Sequence, residues 1–205
     1  MLRCGRKDEI MSDPSLSGTI RKLWVGDTAA FREHLMRLDP ATRRNRFGMA
    51  ASDAFVARYA ETSFSTDTAI HGLFVGEAIV GCGELRLGGS DSAAAEAAFS
   101  VESDWQGRGF GTRLMARVLL TARNRRIRRL YMNCLASNRQ MQHLARRNGA
   151  ELEWDGGDVV GLLVPETPSP ASVLAEAMRD SFGWATAVVE MQKRVLPRRP
   201  FGPTA

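Results

Sequence analysis

Apolar residues recur along this chain with two periods, and the switches between them lay out its elements. Residues 19–25 alternate well enough for a first strand. Asp27 or Thr28 can then cap a helix on which Phe31, Leu35 and Leu38 share one face, and Pro40 ends it. Ser52 can cap a second helix through Phe55, Val56 and Tyr59. Between 68 and 87 the period falls to two: Ile70, Leu73, Val75, Ile79, Val80, Leu85 and Leu87, interrupted at Gly76-Glu77, predict two antiparallel strands and a tight turn. After a turn at 88–92, the small and apolar residues of 94–101 predict a third strand.

The helical period returns at Met115, Val118, Leu119 and Ala122, with Arg113, Arg117 and Asn124 off that stripe. Residues 128–135 read as a strand with Leu130, Met132 and Cys134 on one face, so strand, helix and strand make a parallel crossover. A helix at 138–148 packs through Met141, Leu144 and Ala145 and stops at Gly149. Residues 150–154 and 159–164 close as a hairpin around Asp155-Gly156-Gly157-Asp158. Pro165, Pro168 and Pro170 mark a linker. Ser169 then caps a last helix with Pro170 at its first position and Leu174, Met178, Phe182, Ala185, Val188 and Val189 along one side. That side needs cover, from the parent sheet or from a second copy in a homodimer. The expected fold is a mixed α/β domain over 19–164, its central sheet mostly antiparallel and flanked by helices. A flexible leader at 1–18, with Met11 as an alternative start, precedes it; the Pro-rich linker, an extra C-terminal helix and a basic tail follow at 165–205.

Composition narrows the class. At 205 residues the chain has room for one well-filled core. Its 44% hydrophobic and 25% charged residues are ordinary for a globular protein, and no apolar run approaches a membrane span. Residues 1–14 lack the apolar core of an export signal, so a cytoplasmic protein is expected. Cys4, Cys82 and Cys134 are odd in number and far apart, which argues against both a disulfide framework and a bound metal. A net charge of +5 fits an anionic cofactor, nucleic acid or a plain basic surface. Arg43, Arg44 and Arg46 beside Phe47 read as a solvated face with one packed aromatic.

The stretch Gln106-Gly107-Arg108-Gly109-Phe110-Gly111 lies between a strand and a helix, where unpaired amides and the helix dipole favour phosphate. A nucleotide-triphosphate loop would need Gly-Lys followed by Ser or Thr, which is missing. A dinucleotide loop would need its last glycine at Thr112 or Leu114, and an acidic residue where an arginine-rich run stands. Both are excluded by spacing.

In this context three features resemble the GNAT superfamily of N-acetyltransferases, over about residues 19–164. Gln106, Gly109 and Gly111 match its Gln/Arg-x-x-Gly-x-Gly/Ala signature. Asn138 and Gly149 match its Asn-x-x-Ala-x-x-x-Tyr-x-x-x-Gly-Phe pattern, with Met141, Ala145 and Ala150 in the other places. Ala95-Glu96-Ala97-Ala98-Phe99-Ser100-Val101 is similar to its Ala-Glu-led strand. The resemblance implies acetyl-CoA as cosubstrate and no metal, with the pyrophosphate on the backbone from Gln106 through Gly107, Arg108, Gly109, Phe110, Gly111 and Thr112. It also implies a pantetheine arm along Phe99, Ser100 and Val101, and a cofactor-side place for Asn138. One amide on that strand could stabilise developing oxyanion charge.

Direct attack needs a neutral amine, whereas a lysine amine titrates near about 10.4, so a base is useful. By resemblance Glu96 holds the general-base position; Glu84 is the alternative carboxylate. Ala145 stands where many relatives carry the tyrosine that protonates the leaving thiolate, so solvent or another group takes that part, with Ser137 and His143 nearby in sequence and His143 turned away on the helix. Cys134 reads as a small core residue. The acceptor is a small-molecule amine or a protein lysine; the run from Arg43 to Phe47 is similar to a segment of bacterial GNAT domains, including those of protein-lysine acetyltransferases. Two other classes stand beside the enzyme. One is a catalytically silent acyl-CoA sensor, consistent with Ala145. The other is nucleic-acid binding through Arg123, Arg125, Arg126, Arg128 and Arg129, which is disfavoured because the first three suit the dipole of a helix end.

Overall fold

Seven strands make one sheet, and the order in which they pair creates a split at its middle. The structure, a computed structural model, describes residues 18–88 and 91–195, with the side chains of all of these except 91, 92 and 186–195. The strands are β1 Thr19–Lys22, β2 Thr68–Val75, β3 Ala78–Gly88, β4 Asp91–Val101, β5 Arg129–Leu135, β6 Glu151–Asp155 and β7 Asp158–Leu163, in the spatial order β1-β2-β3-β4-β5-β7-β6. All neighbours are antiparallel except β4 and β5, which run parallel and pair only at Ala94↔Arg129, Ala95↔Leu130 and Glu96↔Tyr131. Beyond that register β4 continues to Val101 and β5 to Leu135 with no mutual pairing.

Helices α1 Thr28–Arg37, α2 Pro40–Phe47 and α3 Asp53–Thr62 precede β2; α4 Phe110–Asn124, α5 Arg139–Arg147 and α6 Pro170–Val195 follow β4. Phe31 and Leu35 of α1 and Val56 and Ala60 of α3 bury against Leu23, Ile70, Phe74 and Ile79. On the other face Met115, Val118 and Ala122 of α4 meet Leu85, Ala95, Ala97, Leu130 and Met132. Leu114, Met115 and Val118 are fully buried, each worth about 1.5–3 kcal/mol of apolar burial. Small residues let α4 lie close: a Cβ on Gly83 would come within 2.9 Å of Val118.

Several boundaries differ from the sequence expectations. The first strand ends at Lys22, because Asp27 accepts from the Trp24 amide (2.9 Å) and pairs with Arg21 (2.8 Å), pulling residues 24–27 into a tight turn. That carboxylate is therefore spent on the turn and does not cap α1. Pro40 does not end α1, which stops at Arg37; it opens α2, where Asp39 accepts from the Ala41 and Thr42 amides (3.0 Å each). The basic run is thus a helix, and Arg46 on it is buried, not solvated. Arg117 is likewise buried, paired with Asp180 of α6. Ser52 and Asn138 cap α3 and α5 through the Phe55 and Met141 amides. Ser169 accepts from the Ser172 amide (3.1 Å) at the head of α6. Leu174, Met178 and Phe182 of α6 are exposed. Gly18 is buried, its carbonyl accepting from Arg113; the rest of the expected leader and the tail beyond Val195 lie outside the described residues. Among the described residues no helix is long and apolar enough to cross a membrane.

Candidate active site

Glu96 is the last residue of β4 paired with β5, so its side chain stands at the mouth of the split. It is exposed, and Asn133 Nδ2 donates to its Oε1 at 3.1 Å. Tyr131 is its cross-strand neighbour on β5 and Arg86 its neighbour on β3. The carboxylate is held in place yet open to an incoming group.

Past Glu96 the backbone of β4 has one side free. The Glu102 amide donates to the Val80 carbonyl at 3.0 Å in the continuation of the β3–β4 register. Antiparallel alternation then turns the main-chain groups of Ala98 and Ser100 toward β3, and those of Phe99 and Val101 toward the split. Ser100 contributes neither main chain nor side chain to that gap, because its hydroxyl meets His34 Nε2 at 2.9 Å. The Val101 carbonyl accepts from Gln106 Nε2 at 2.9 Å, and the same nitrogen reaches Thr42 of α2 at 3.3 Å. Gln106 therefore ties the glycine loop to the strand end and to α2.

The loop itself is shaped by two left-handed residues, Gly107 at φ 73° and Gly109 at φ 78°, with open space where a Cβ would stand. Gly109 caps α4. The first i→i−4 bond runs from the Arg113 amide to the Gly109 carbonyl at 3.2 Å, so the amides of Phe110, Gly111 and Thr112 precede it and remain free of helix partners. The Phe110 side chain is buried with Leu73 and Leu114, which leaves only its main chain to the loop; Thr112 is exposed. Arg108 lies over the Trp105 ring at 4.8 Å and donates to the Asp104 carbonyl at 3.0 Å, its guanidinium exposed beside the loop. Free amides, helix dipole and a flanking guanidinium make an anion cradle.

Two buried polar clusters support this site, and sequence reasoning found neither. Arg46 of α2 donates to Glu84 and to the Tyr59 hydroxyl, and Tyr59 in turn donates to Glu84 Oε2 at 2.7 Å. Burial would raise the Glu84 carboxyl, but the Arg46 guanidinium, the two hydrogen bonds and Arg86 outweigh it and hold the carboxyl below the usual range. Glu84 is thus locked in an ion pair under α2 and α3, and Glu96 is the carboxylate left open. In the second cluster, Glu102 accepts from Arg37 and contacts His34 Nδ1, both at 2.9 Å. Burial pushes His34 down against the opposing pull of Glu102. The Arg46–Glu84 and His34–Glu102 contacts join residues 38 and 68 positions apart, pairings no local period announces.

Ala145 is buried in the core, and Cys134 is buried with its thiol pushed up by that burial. His143 is exposed. The side-chain oxygen Oδ1 of Asn138 accepts from the Met141 amide as the cap of α5. Of the arginines at the end of α4, Arg123 is tied to the linker through Glu166 at 2.7 Å and the Thr167 carbonyl at 2.7 Å.

The sheet splits at its parallel pair, and a glycine loop opens a helix at the end of the split strand. The chain belongs to the GNAT acetyltransferase family, whose model matches residues 28–150, and it is an enzyme of that class. The GNAT domain of S. lividans PAT is similar in structure with a TM-score of 0.62 at 20% identity, over 72% of this chain and 90% of that one. An acetyltransferase of the GNAT family from Streptococcus pneumoniae gives 0.57 at 16%, over 71% and 97%. The PaiA N-acetyltransferase from Thermoplasma acidophilum, in complex with coenzyme A, gives 0.55 at 18%, over 72% and 99%. At these identities the likeness is one of fold. No curated protein matches the chain.

Proposed function

We propose that this enzyme transfers an acetyl group from acetyl-CoA to a primary amine, with Glu96 as general base. The observation that carries the reading is the placement of Glu96 where β4 and β5 part, on the strand whose free edge leads into the glycine loop. The residues present fit the cosubstrate. Phe99 and Val101 turn main-chain groups to the split, and Gly107 to Thr112 offer amides and open space for a pyrophosphate. When bound, acetyl-CoA supplies an activated thioester carbonyl. Glu96 takes the proton as the amine nitrogen bonds the acetyl carbon and the carbon–sulfur bond breaks. An amide on the free edge near Phe99 stabilises the developing oxyanion. With Ala145 in the tyrosine position, protonation of the departing thiolate falls to solvent, which suffices for a thiol titrating near about 8.5.

A cationic acceptor suits the surroundings, whether a small amine or a protein lysine. Glu151 and Glu153, both exposed, continue the cross-strand rows of Tyr131 and Asn133 on the face that carries Glu96. Leu174 and Met178, 61% and 53% exposed at i, i+4 spacing on α6, support a homodimer through that helix. Light scattering should give twice the chain mass, and Leu174→Glu should give the monomer; a monomeric wild type removes the dimer.

Glu96→Gln tests the main reading. The expected result is a loss of about 10²–10⁴ in kcat with acetyl-CoA affinity retained. Unchanged turnover would remove Glu96 from the chemistry.

A further inference from the structure

On the sheet face opposite Glu96, at the far end of α4, lies a cavity outside the split. Its volume is about 360 Å³, and it opens between β1, β2, α4 and α6, lined by Lys22, His71, Thr121, Arg125, Glu176 and Asp180 among others. Thr121 is eleven residues along α4 from Phe110, roughly 16 Å of helix, so the acyl-transfer reading makes no use of this cavity.

Its hydrogen bonds fix what it lacks. Thr121 Oγ1 donates to Glu176 Oε1 at 2.6 Å. A hydroxyl has one hydrogen, so in the 3.0 Å contact between His71 Nε2 and Thr121 Oγ1 the imidazole is the donor. His71 Nδ1 is then a bare acceptor, and in a side chain 0% exposed it has no hydrogen-bond partner. Burial, with Arg117, Lys22 and Arg125 nearby, pushes His71 down to about 3, so Nδ1 does not satisfy itself by taking a proton. The two carboxylates are already engaged, Asp180 by Arg117 and Glu176 by Thr121 and by Asn124 at 2.6 Å. Lys22 and Arg125 have no acid within ion-pair reach among the described residues; the Lys22 ammonium lies over the Trp24 ring at 4.6 Å, and Arg125 Nη1 is buried without a partner. With Arg117, three cations face two carboxylates, which leaves the wall net positive.

We propose that this cavity binds a small oxyanion carrying a hydroxyl or N–H donor close to its charge, the anion meeting Lys22 and Arg125 and the donor hydrogen meeting His71 Nδ1. Such a ligand satisfies the orphaned acceptor and gives both cations an anionic partner at once. The oxyanion can be a carboxylate or a phosphate.

Calorimetric titration of the full chain with glycerate and with glycerol 3-phosphate tests the site and separates the two head groups. At about pH 8.5, where a phosphate monoester is a dianion without a P–OH hydrogen, propionate and propyl phosphate serve as probes without the donor hydrogen. At least one donor-bearing probe should bind, about tenfold tighter than its donorless counterpart, and should shift the His71 Nδ1 resonance of ¹⁵N-histidine-labelled protein. Lys22→Met and Arg125→Met, both at the rim, should each weaken binding by about tenfold and leave acetyl-CoA affinity unchanged. The proposal is overturned if neither probe binds at millimolar concentration, if the donorless probe binds equally, if Nδ1 does not shift, or if the rim variants bind like wild type. None of these readouts depends on acetyl transfer, so failure here and failure of the acyltransferase reading are distinct.

Discussion

At the level of single residues, two carboxylates on adjacent strands have opposite fates. Glu96 is exposed at the split, while Glu84 is sealed beneath α2 and α3 with Arg46, Tyr59 and Arg86. Glu84→Gln leaves Arg46 buried without its charge partner, and the expected loss is about 3–5 kcal/mol in urea unfolding. The double change Arg46→Met with Glu84→Met should recover much of it, since apolar packing replaces a buried pair at little net loss. If the single variant unfolds like wild type, the pair carries no structural weight. The chain's alternation placed both glutamates on strands, and the family resemblance selected Glu96. What excludes Glu84 is a partner 38 positions away on a helix that the run of arginines did not announce. Ser100 was assigned to the cofactor edge with Phe99 and Val101, yet its main chain faces β3 and its hydroxyl meets His34; which edge a strand residue presents depends on its neighbour's register, and that is set by the fold as a whole.

Among the elements, the glycine loop is the one whose conformation its sequence dictates. Gly107 and Gly109 hold left-handed backbone that a side chain resists, whereas a Cβ at Gly111 would meet only Leu144 at 3.6 Å. Gly109→Ala should cost about 1–2 kcal/mol of strain and weaken acetyl-CoA binding in calorimetry, because the cradle must distort. Gly111→Ala should bind nearly as wild type. Equal binding by all three proteins would mean that the loop's left-handed turns are not needed for the cofactor. Helices and strands with strong periods, such as α4 and β2 to β4, were legible in outline. The missed start at Pro40 had a signal in Asp39-Pro40, a cap and first-position pair, but the tendency of proline to end a helix hid it.

For the whole molecule, buried histidines tie stability to pH. His34 and His71 are both held below their ordinary value, chiefly by burial. Unfolding lets each take up a proton below about 6.5, so the unfolded state binds more protons and stability falls as pH falls from 7 toward 5. Two such groups give a slope of at most about 2.7 kcal/mol per pH unit in that window. Glu84 and Glu102, both lowered, extend the loss to more acid pH as they protonate. Urea titrations at pH 7, 6 and 5 check this, and a flat profile would contradict neutral burial of the two imidazoles. The mixed, mostly antiparallel sheet flanked by helices was readable from element order together with the family resemblance. The packing of α6 was not, because its apolar stripe states that cover is needed without saying what supplies it. The central claim is acetyl transfer to an amine, and it is tested most directly by incubating the protein with acetyl-CoA and a panel of primary amines, including a lysine peptide, and counting free thiol against N-acetylated product by mass spectrometry. The account predicts equal amounts of the two with at least one amine; thiol release without an acetylated amine, or no release with any, would contradict it.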